Sequence, residues 1–286
     1  MTSPGPAQPW QDLFPSGLNP APRVWAMGLT YAEHARETHQ STPPVVFEKV
    51  CQPSPGATVI RAPDEDTLRA CLRQLDPALA DRLAAVPMPL LLDYEVEIGL
   101  LMLEDWRAGG GCRLPRWGYF LANDVTVRSI QMAGWKAARP LPFWSAAKSF
   151  PGFLPVADAV WVPPQPHAEM WPDVELTTHV NGQLRQRARL PDLRLSPAQL
   201  LACVAQHAPD GLLRRGDLIL TGTPGGIALQ VSRFKQAVGQ WLPRARAIQT
   251  AWRGQQRTSR FLHPRDTVQM QAAGLGQLTL TVEATS

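Results

Sequence analysis

The 286-residue sequence lacks the features that mark membrane, secreted and nucleic-acid-binding proteins. Its longest apolar runs, such as VPMPLLL, are far shorter than the roughly 20 residues that cross a bilayer. The stretch MTSPGPAQPW has neither the basic patch nor the apolar core of a signal peptide. Lysine occurs at only four positions, and arginine is spread along the chain. We therefore expect a cytoplasmic protein that binds neither membranes nor nucleic acid.

Three local patterns that could carry chemistry are also weak. The four cysteines, at 51, 71, 112 and 203, form no Cys-x-x-Cys pair, so we expect reduced thiols and no zinc site. The glycine-rich segment TGTPGG lacks the Gly-Lys-Ser/Thr of a phosphate-binding loop. Residues 244–260 are the densest basic segment, and an arginine-rich solvated helix explains them better than a nucleic-acid surface.

The order of predicted elements indicates an α+β protein that is predominantly β. Proline and glycine punctuate residues 1–22, which are interpreted as a loosely ordered lead-in. Residues 23–286 are predicted to form one domain with helical insertions near 64–88 and 230–260. Strand patterns dominate from residue 91 onward, without the alternation of a parallel α/β sheet.

Local signals predict several individual elements. Leucines at intervals of three and four predict a helix over 64–85. Ser196 followed by proline predicts the start of a helix over 196–208. Asn181-Gly182 between alternating segments predicts a hairpin, and Pro55-Gly56 predicts a second one.

The stretch LLDYEVEIGL places three acids, Asp93, Glu95 and Glu97, at alternate positions of an otherwise apolar strand. Alternate side chains lie on one face, about 6 to 7 Å apart, so the three charges repel one another. An exposed strand face would explain Glu95 and Glu97. The bulky apolar neighbours favour burial instead, and buried carboxylates need cations or hydrogen bonds.

A divalent cation would satisfy these carboxylates. Oxygen ligands without nearby cysteine or paired histidine favour Mg²⁺ or Mn²⁺ over zinc. Asp124, at the end of the apolar strand in GYFLANDVTVRSIQ, is the best candidate for a third ligand. Its alternative role is a helix N-cap.

Seven segments, in their order along the chain, resemble the fumarylacetoacetate hydrolase superfamily. They extend over roughly residues 24–282 and are TYAEHARE, DYEVEIGLLM, GYFLANDVTVRSIQ, KSFPGFLPV, VNGQLRQ, GDLILTGTPGGIAL and LHPRDTVQMQAAGLGQLTLTV. Each motif is weakly specific alone, whereas the set in this order is strongly specific.

The resemblance implies a mixed β-roll, usually a homodimer, with one divalent metal ion held by three carboxylates. Carried onto this sequence, the metal ligands are Glu95, Glu97 and Asp124, whereas Asp93 is not a ligand. The expected ion is Mg²⁺, with Mn²⁺ or Ca²⁺ as alternatives.

The resemblance also implies further site residues. His34 and Glu37, three positions apart, resemble a pair in which the carboxylate orients imidazole as a general base for water. A surface His/Glu helix pair is the alternative. Lys148 resembles a lysine that stabilises developing negative charge. The substrate contacts implied by the resemblance are Tyr31, Gln131 and Thr223.

The implied substrates are 2-keto acids. We expect a hydrolase that cleaves a C–C bond in an acylpyruvate or a fumarylacetoacetate-like 2,4-diketo acid, giving a pyruvate-type product and an acid. The alternatives within the superfamily are an oxaloacetate decarboxylase and a 2-keto-enoic acid hydratase or isomerase. The alternative from another class is a catalytically lapsed, metal-binding structural subunit.

Three departures from the family pattern concern substrate class more than metal binding. Ser129 follows Arg128 where an acid is usual, and Thr30 precedes Tyr31 where asparagine is common. Pro264-Arg265-Asp266 replaces the family's Pro-Gly-Asp turn. None of these changes removes an expected ligand.

Overall fold

The structure is a computed structural model, and it describes residues 4–18, 22–31, 44–109, 114–165, 167–230, 241–258 and 260–284. Its helices in these ranges are α1 (Trp10–Leu13), α2 (Glu65–Leu75), α3 (Pro77–Arg82), α4 (Arg128–Ala133), α5 (Leu141–Ala147), α6 (Pro197–His207) and α7 (Arg244–Gln256). A 3-10 turn spans Leu190–Asp192. Within the same ranges, no helix has the length and apolar character needed to cross a membrane.

Among the described residues, strands outnumber helices. The first nine are β1 (Gln8–Pro9), β2 (Val24–Gly28), β3 (Val45–Lys49), β4 (Ser54–Pro55), β5 (Val59–Ala62), β6 (Leu92–Asp93), β7 (Val96–Met102), β8 (Trp106–Arg107) and β9 (Trp117–Asn123). The others are β10 (Thr126–Val127), β11 (Pro155–Val156), β12 (Ala159–Val160), β13 (Glu175–Val180), β14 (Gln183–Arg189), β15 (Leu212–Leu213), β16 (Leu218–Leu220), β17 (Thr267–Ala272) and β18 (Gly276–Ala284).

Two mixed sheets organise the fold and confirm the predicted α+β, mostly β class. The larger has the order β3-β2-β16-β7-β9-β11-β4, with parallel pairing only at β16–β2 and β11–β4. The smaller has the order β14-β13-β17-β18-β5, with β18 and β5 parallel. The chain therefore crosses repeatedly between sheets, as a mixed β-roll requires.

Both faces of the seven-stranded sheet are covered by apolar side chains. Along β7, Ile98 and Leu100 pack into the main core, while Leu101 points into a second cluster with Phe120 and Trp10. Every residue of β7 and β9 is buried. Any charged residue on these two strands is therefore removed from water.

Within residues 8–14 of the predicted lead-in, the side chains of Trp10 and Phe14 are buried. Pro9 of β1 pairs with Ala159 of β12, and the Trp10 indole donates to the Ala157 carbonyl at 2.7 Å. The Trp10 ring also meets Phe120 edge to face, with centroids 5.1 Å apart. These contacts of Trp10 anchor the segment, because burying an indole that also finds an acceptor is favourable.

The two predicted helical insertions contain helices. The first is split, because Pro77 lacks an N–H and disfavours helical backbone at Asp76, so α2 ends there and α3 begins. In the second, α7 packs on α4, and the Trp252 indole donates to the Ser129 carbonyl at 3.1 Å. Residues 231–240 of this segment lie outside the described ranges.

Candidate metal centre

Strand pairing brings Glu95, Glu97 and Asp124 together. Glu97 lies opposite Ala122 in the β7–β9 register, and the Asp124 N–H donates to the Glu95 carbonyl at 2.9 Å. One side-chain oxygen from each acid lies within 4.8 Å of those from the other two. All three are buried, so the exposed-face interpretation is wrong. The N-cap interpretation of Asp124 is also wrong, because Val127 occupies that position of α4.

In Glu95 and Asp124, each carboxylate oxygen accepts a hydrogen bond from a positively charged side chain. Glu95 Oε1 accepts from Arg128 at 2.6 Å, and its Oε2 accepts from Lys148 at 2.8 Å. Asp124 Oδ1 accepts from Lys49 at 2.6 Å, and its Oδ2 accepts from Lys148 at 2.6 Å. Because all these groups are buried, the ion pairs replace lost hydration and fix the carboxylate planes.

Glu97 differs from its two neighbours, since the described part of the chain provides no ion pair for it. Its Oε2 accepts the Gly222 N–H at 2.7 Å. That contact needs glycine, because Gly222 has a φ of +92° and a Cβ there would lie 2.1 Å from Thr30 Oγ1. Burial, and then the charges of Asp124 and Glu95, raise the pKa of Glu97 well above its ordinary value. Glu97 is thus the carboxylate most in need of a further cation.

Asp93 lies outside the three-carboxylate cluster and performs a bracing role. Its carboxylate accepts from Arg128 Nε at 2.7 Å and from the backbone N–H groups of Ala228 and Leu229 at 2.8 and 3.3 Å. Asp93 therefore ties α4 and the loop after β16 to the start of the acidic strand. This agrees with its assignment as a non-ligand and gives it a definite structural task.

Lys148 sits at the C-terminal end of α5 with its ammonium inside the cluster. It donates to Glu95, to Asp124 and to the Thr126 hydroxyl, the last at 2.8 Å. Burial alone would lower the pKa of Lys148, but Asp124 and Glu95 outweigh it and raise the pKa above its usual value. The group is a fixed cation whose three N–H donors are all engaged, so it reaches a substrate only by exchanging one acceptor.

The three predicted substrate contacts surround this cluster in different ways. Half-buried Gln131 lies one turn after Arg128, which donates to Gln131 Oε1 at 2.7 Å. This contact uses the oxygen of the side-chain amide and leaves its two N–H groups as donors for another partner. The Thr223 hydroxyl donates to the Val96 carbonyl at 3.1 Å, so only its backbone N–H remains as a donor for a ligand.

Tyr31 is buried at 2% exposure, and its hydroxyl has no partner among the described residues. Burial, and then the charge of Glu97, raise the pKa of Tyr31, so the phenol stays protonated as a donor. The predicted pair His34 and Glu37 lies outside the described residues, within 32–43.

Sequence reasoning missed Lys49, Arg128 and Gln186 as parts of the site. Gln186 accepts the Val96 N–H at 3.1 Å and donates to the Thr223 hydroxyl at 2.9 Å, so it supports the acidic strand from the smaller sheet. One signal was available for Lys49, since only four lysines occur and this one ends an apolar strand.

The donor set fits a hard divalent cation. Three buried carboxylates offer only oxygen, and the described residues provide no ion pair for Glu97. Mg²⁺ and Mn²⁺ are typically held by a few carboxylates, with water or substrate filling the other positions. Glu95, Glu97 and Asp124 would hold such an ion.

Cation binding should release a proton in acidic solution. Because Glu97 binds its proton more tightly than an ordinary glutamic acid, a cation must displace that proton whenever the pH lies below the raised pKa. Affinity for Mg²⁺ should therefore fall as the pH falls. Calorimetric titration in buffers of different ionisation enthalpy should show close to one proton released at low pH and none at high pH. Equal proton release at every pH would contradict this account of Glu97.

Known proteins resemble this chain in sequence and in fold. The family profile described as fumarylacetoacetate (FAA) hydrolase C-terminal matches residues 23–283. A mitochondrial oxaloacetate tautomerase of Caenorhabditis elegans is 30% identical over 224 residues, covering 73% of this chain and 85% of that protein. The oxaloacetate tautomerase YcgM of Escherichia coli K12 is 28% identical over 216 residues, covering 73% and 83%.

Solved structures share the fold. A fumarylpyruvate hydrolase from Pseudomonas aeruginosa, in complex with Mn²⁺ and pyruvate, has a TM-score of 0.62 at 22% identity and covers 93% of this chain and 91% of its own. A 5-carboxymethyl-2-hydroxymuconate delta-isomerase from Mycobacterium smegmatis has a TM-score of 0.57 at 25% identity and covers 93% and 80%. The family profile spans nearly the whole sequence, and the chain therefore belongs to the fumarylacetoacetate hydrolase family.

Proposed function

We propose that the protein is a divalent-metal-dependent enzyme that interconverts the keto and enol forms of a 2-oxo acid, with oxaloacetate as its substrate. The main support for a metal-dependent enzyme is the buried cluster of Glu95, Glu97 and Asp124, with Lys148 in contact with it. Support for the substrate comes from relatives of 28–30% identity that are named oxaloacetate tautomerases.

The reaction moves one proton and changes no atom count. The keto acid loses a proton from the carbon next to its carbonyl, and the carbonyl oxygen gains one. A divalent cation bound by the three carboxylates would polarise that carbonyl and acidify the C–H bond. Lys148 supplies a fixed positive charge near the oxygen that becomes negative. Gln131 offers its amide N–H groups to the substrate carboxylate, and His34 with Glu37 transfers the proton.

A second candidate is hydrolysis of a C–C bond in an acylpyruvate. Its specific support is the spacing of His34 and Glu37, which suits activation of a water molecule. Water adds to the distal carbonyl, the C–C bond breaks, its electron pair forms an enolate, and protonation gives pyruvate beside the released acid. This reaction needs the same metal site and the same positive charge on Lys148.

Product identification separates the candidates. Chelator-treated protein is assayed with oxaloacetate and with acetylpyruvate, with and without Mg²⁺. The proposal expects Mg²⁺-dependent loss of the ultraviolet absorbance of enol-oxaloacetate without pyruvate release. Pyruvate from acetylpyruvate would establish the hydrolase instead, and pyruvate from oxaloacetate would establish a decarboxylase. If no assay shows turnover, and the His34→Ala variant behaves like wild type in all of them, the remaining interpretation is a catalytically lapsed subunit that binds metal.

A further inference from the structure

Two of the three carboxylates of the metal centre, Glu95 and Asp124, are constrained in how they can bind an ion. Each of the four side-chain oxygens of Glu95 and Asp124 already accepts a hydrogen bond from a buried ammonium or guanidinium group, at 2.6 to 2.8 Å. An ion chelated by both oxygens of one carboxylate would take a lone pair from each. Such an ion would also lie close to two of these positively charged groups at once, and both would repel it.

Lys49 is the residue that most clearly enforces this constraint on Asp124. It is the last residue of β3, and its side chain is fully buried. Its Nζ is anchored on one side by the Phe153 carbonyl at 2.7 Å and contacts Asp124 Oδ1 at 2.6 Å on the other. The ammonium therefore cannot swing aside to free that oxygen without losing a second buried hydrogen bond.

Cations differ in what they demand of carboxylates. Mg²⁺ and Mn²⁺ accept six near-octahedral ligands, with one oxygen taken from each carboxylate, whereas Ca²⁺ takes six to eight and commonly includes both oxygens of a carboxylate. A site in which two of the three carboxylates, Glu95 and Asp124, resist binding through both oxygens therefore disfavours Ca²⁺ more than Mg²⁺ or Mn²⁺.

We propose that Lys49, by engaging Asp124 Oδ1, sets the ion selectivity of the centre and excludes Ca²⁺ in favour of Mg²⁺ or Mn²⁺. Arg128 acts in the same way on Glu95 Oε1. This inference rests on the proposed metal site, but it concerns the discrimination between ions rather than the reaction.

The test compares dissociation constants for Mn²⁺ and Ca²⁺ in wild type, in Lys49→Met and in Lys136→Met. Lys136 is an exposed lysine, so its replacement controls for the loss of one positive charge. Mn²⁺ binding is followed by electron paramagnetic resonance of the free ion, and Ca²⁺ binding by competition against Mn²⁺. Neither readout depends on enzymatic activity.

Wild type and Lys136→Met should bind Mn²⁺ at least about tenfold more tightly than Ca²⁺, whereas in Lys49→Met the ratio should fall by about tenfold. An equal gain for both ions in Lys49→Met would show a charge effect alone and overturn the proposal. If that variant does not fold, a wild-type preference for Ca²⁺ still overturns the proposal, and Lys49→Gln replaces the variant. Absence of any divalent binding by wild type would overturn the metal site and the proposed function as well, which distinguishes the two failures.

Discussion

Replacing Asp124 by Asn should weaken Mg²⁺ binding by about 100-fold or more and abolish turnover, since even the residues that only orient a ligand are worth 10- to 100-fold. The substitution removes a negative charge from the cluster while keeping the shape of the side chain. It also turns an amide N–H group toward Lys49 or Lys148, two donors that need an acceptor. Glu95→Gln should act similarly, because both its oxygens face cations.

Calorimetry with Mg²⁺ on the two variants tests this expectation. Asp81→Asn is a matched control, because Asp81 is an exposed acid on α3 whose side chain is 69% accessible. That variant should bind Mg²⁺ and turn over like wild type. Unchanged metal affinity in both Asp124→Asn and Glu95→Gln would show that the ion, if bound, lies elsewhere.

Features encoded by neighbouring residues were predictable. The Asn181-Gly182 hairpin is confirmed, with positive φ at both residues and β13 paired to β14. The predicted helix start at Ser196 is likewise confirmed, since Ser196 is the N-cap of α6 and Pro197 is its first residue. The acids were found because period-two spacing in an apolar run has few explanations.

The second predicted hairpin, at Pro55-Gly56, was wrong for a physical reason. Ser54–Pro55 pairs with β11 in the larger sheet, while Val59–Ala62 pairs with β18 in the smaller sheet. Turn residues fix a local change of direction, but the partner of each strand is chosen by core packing far away in the sequence. Local sequence carries no record of that choice.

Two cations of the site, Lys49 and Arg128, were hidden for the same reason. Three strands separate β3 from β9 in the larger sheet, but β4, which follows Lys49 in the chain, pairs with β11 directly beside β9, and this long-range pairing brings Lys49 to Asp124. Arg128 meets Asp93 because β6 pairs with β10, directly before α4. Charge balance could have indicated that buried carboxylates need buried cations, but it could not have named them.

Arg128→Met should destabilise the protein by about 3–5 kcal/mol, because removing one partner leaves a buried charge without compensation. Arg128 is 2% exposed and donates to Asp93, Glu95 and Gln131. Its loss therefore leaves the buried Asp93 carboxylate without a positively charged partner among the described residues. For a chain of this size, the midpoint of thermal unfolding should fall by on the order of 10 °C. Arg128→Lys should recover little, since an ammonium cannot reproduce the planar contact with two carboxylates.

A double-mutant cycle with Asp93→Asn separates the ion pair from packing. If the buried charge of Asp93 causes the loss, the double variant should be more stable than the sum of the single losses by about 1–3 kcal/mol. The backbone N–H of Ala228 retains an amide oxygen as acceptor in Asp93→Asn, so the loop after β16 keeps its anchor. Chemical denaturation of metal-free protein supplies the four free energies of unfolding. Strict additivity would mean that Arg128 stabilises the fold through packing, and that its contact with Asp93 contributes little.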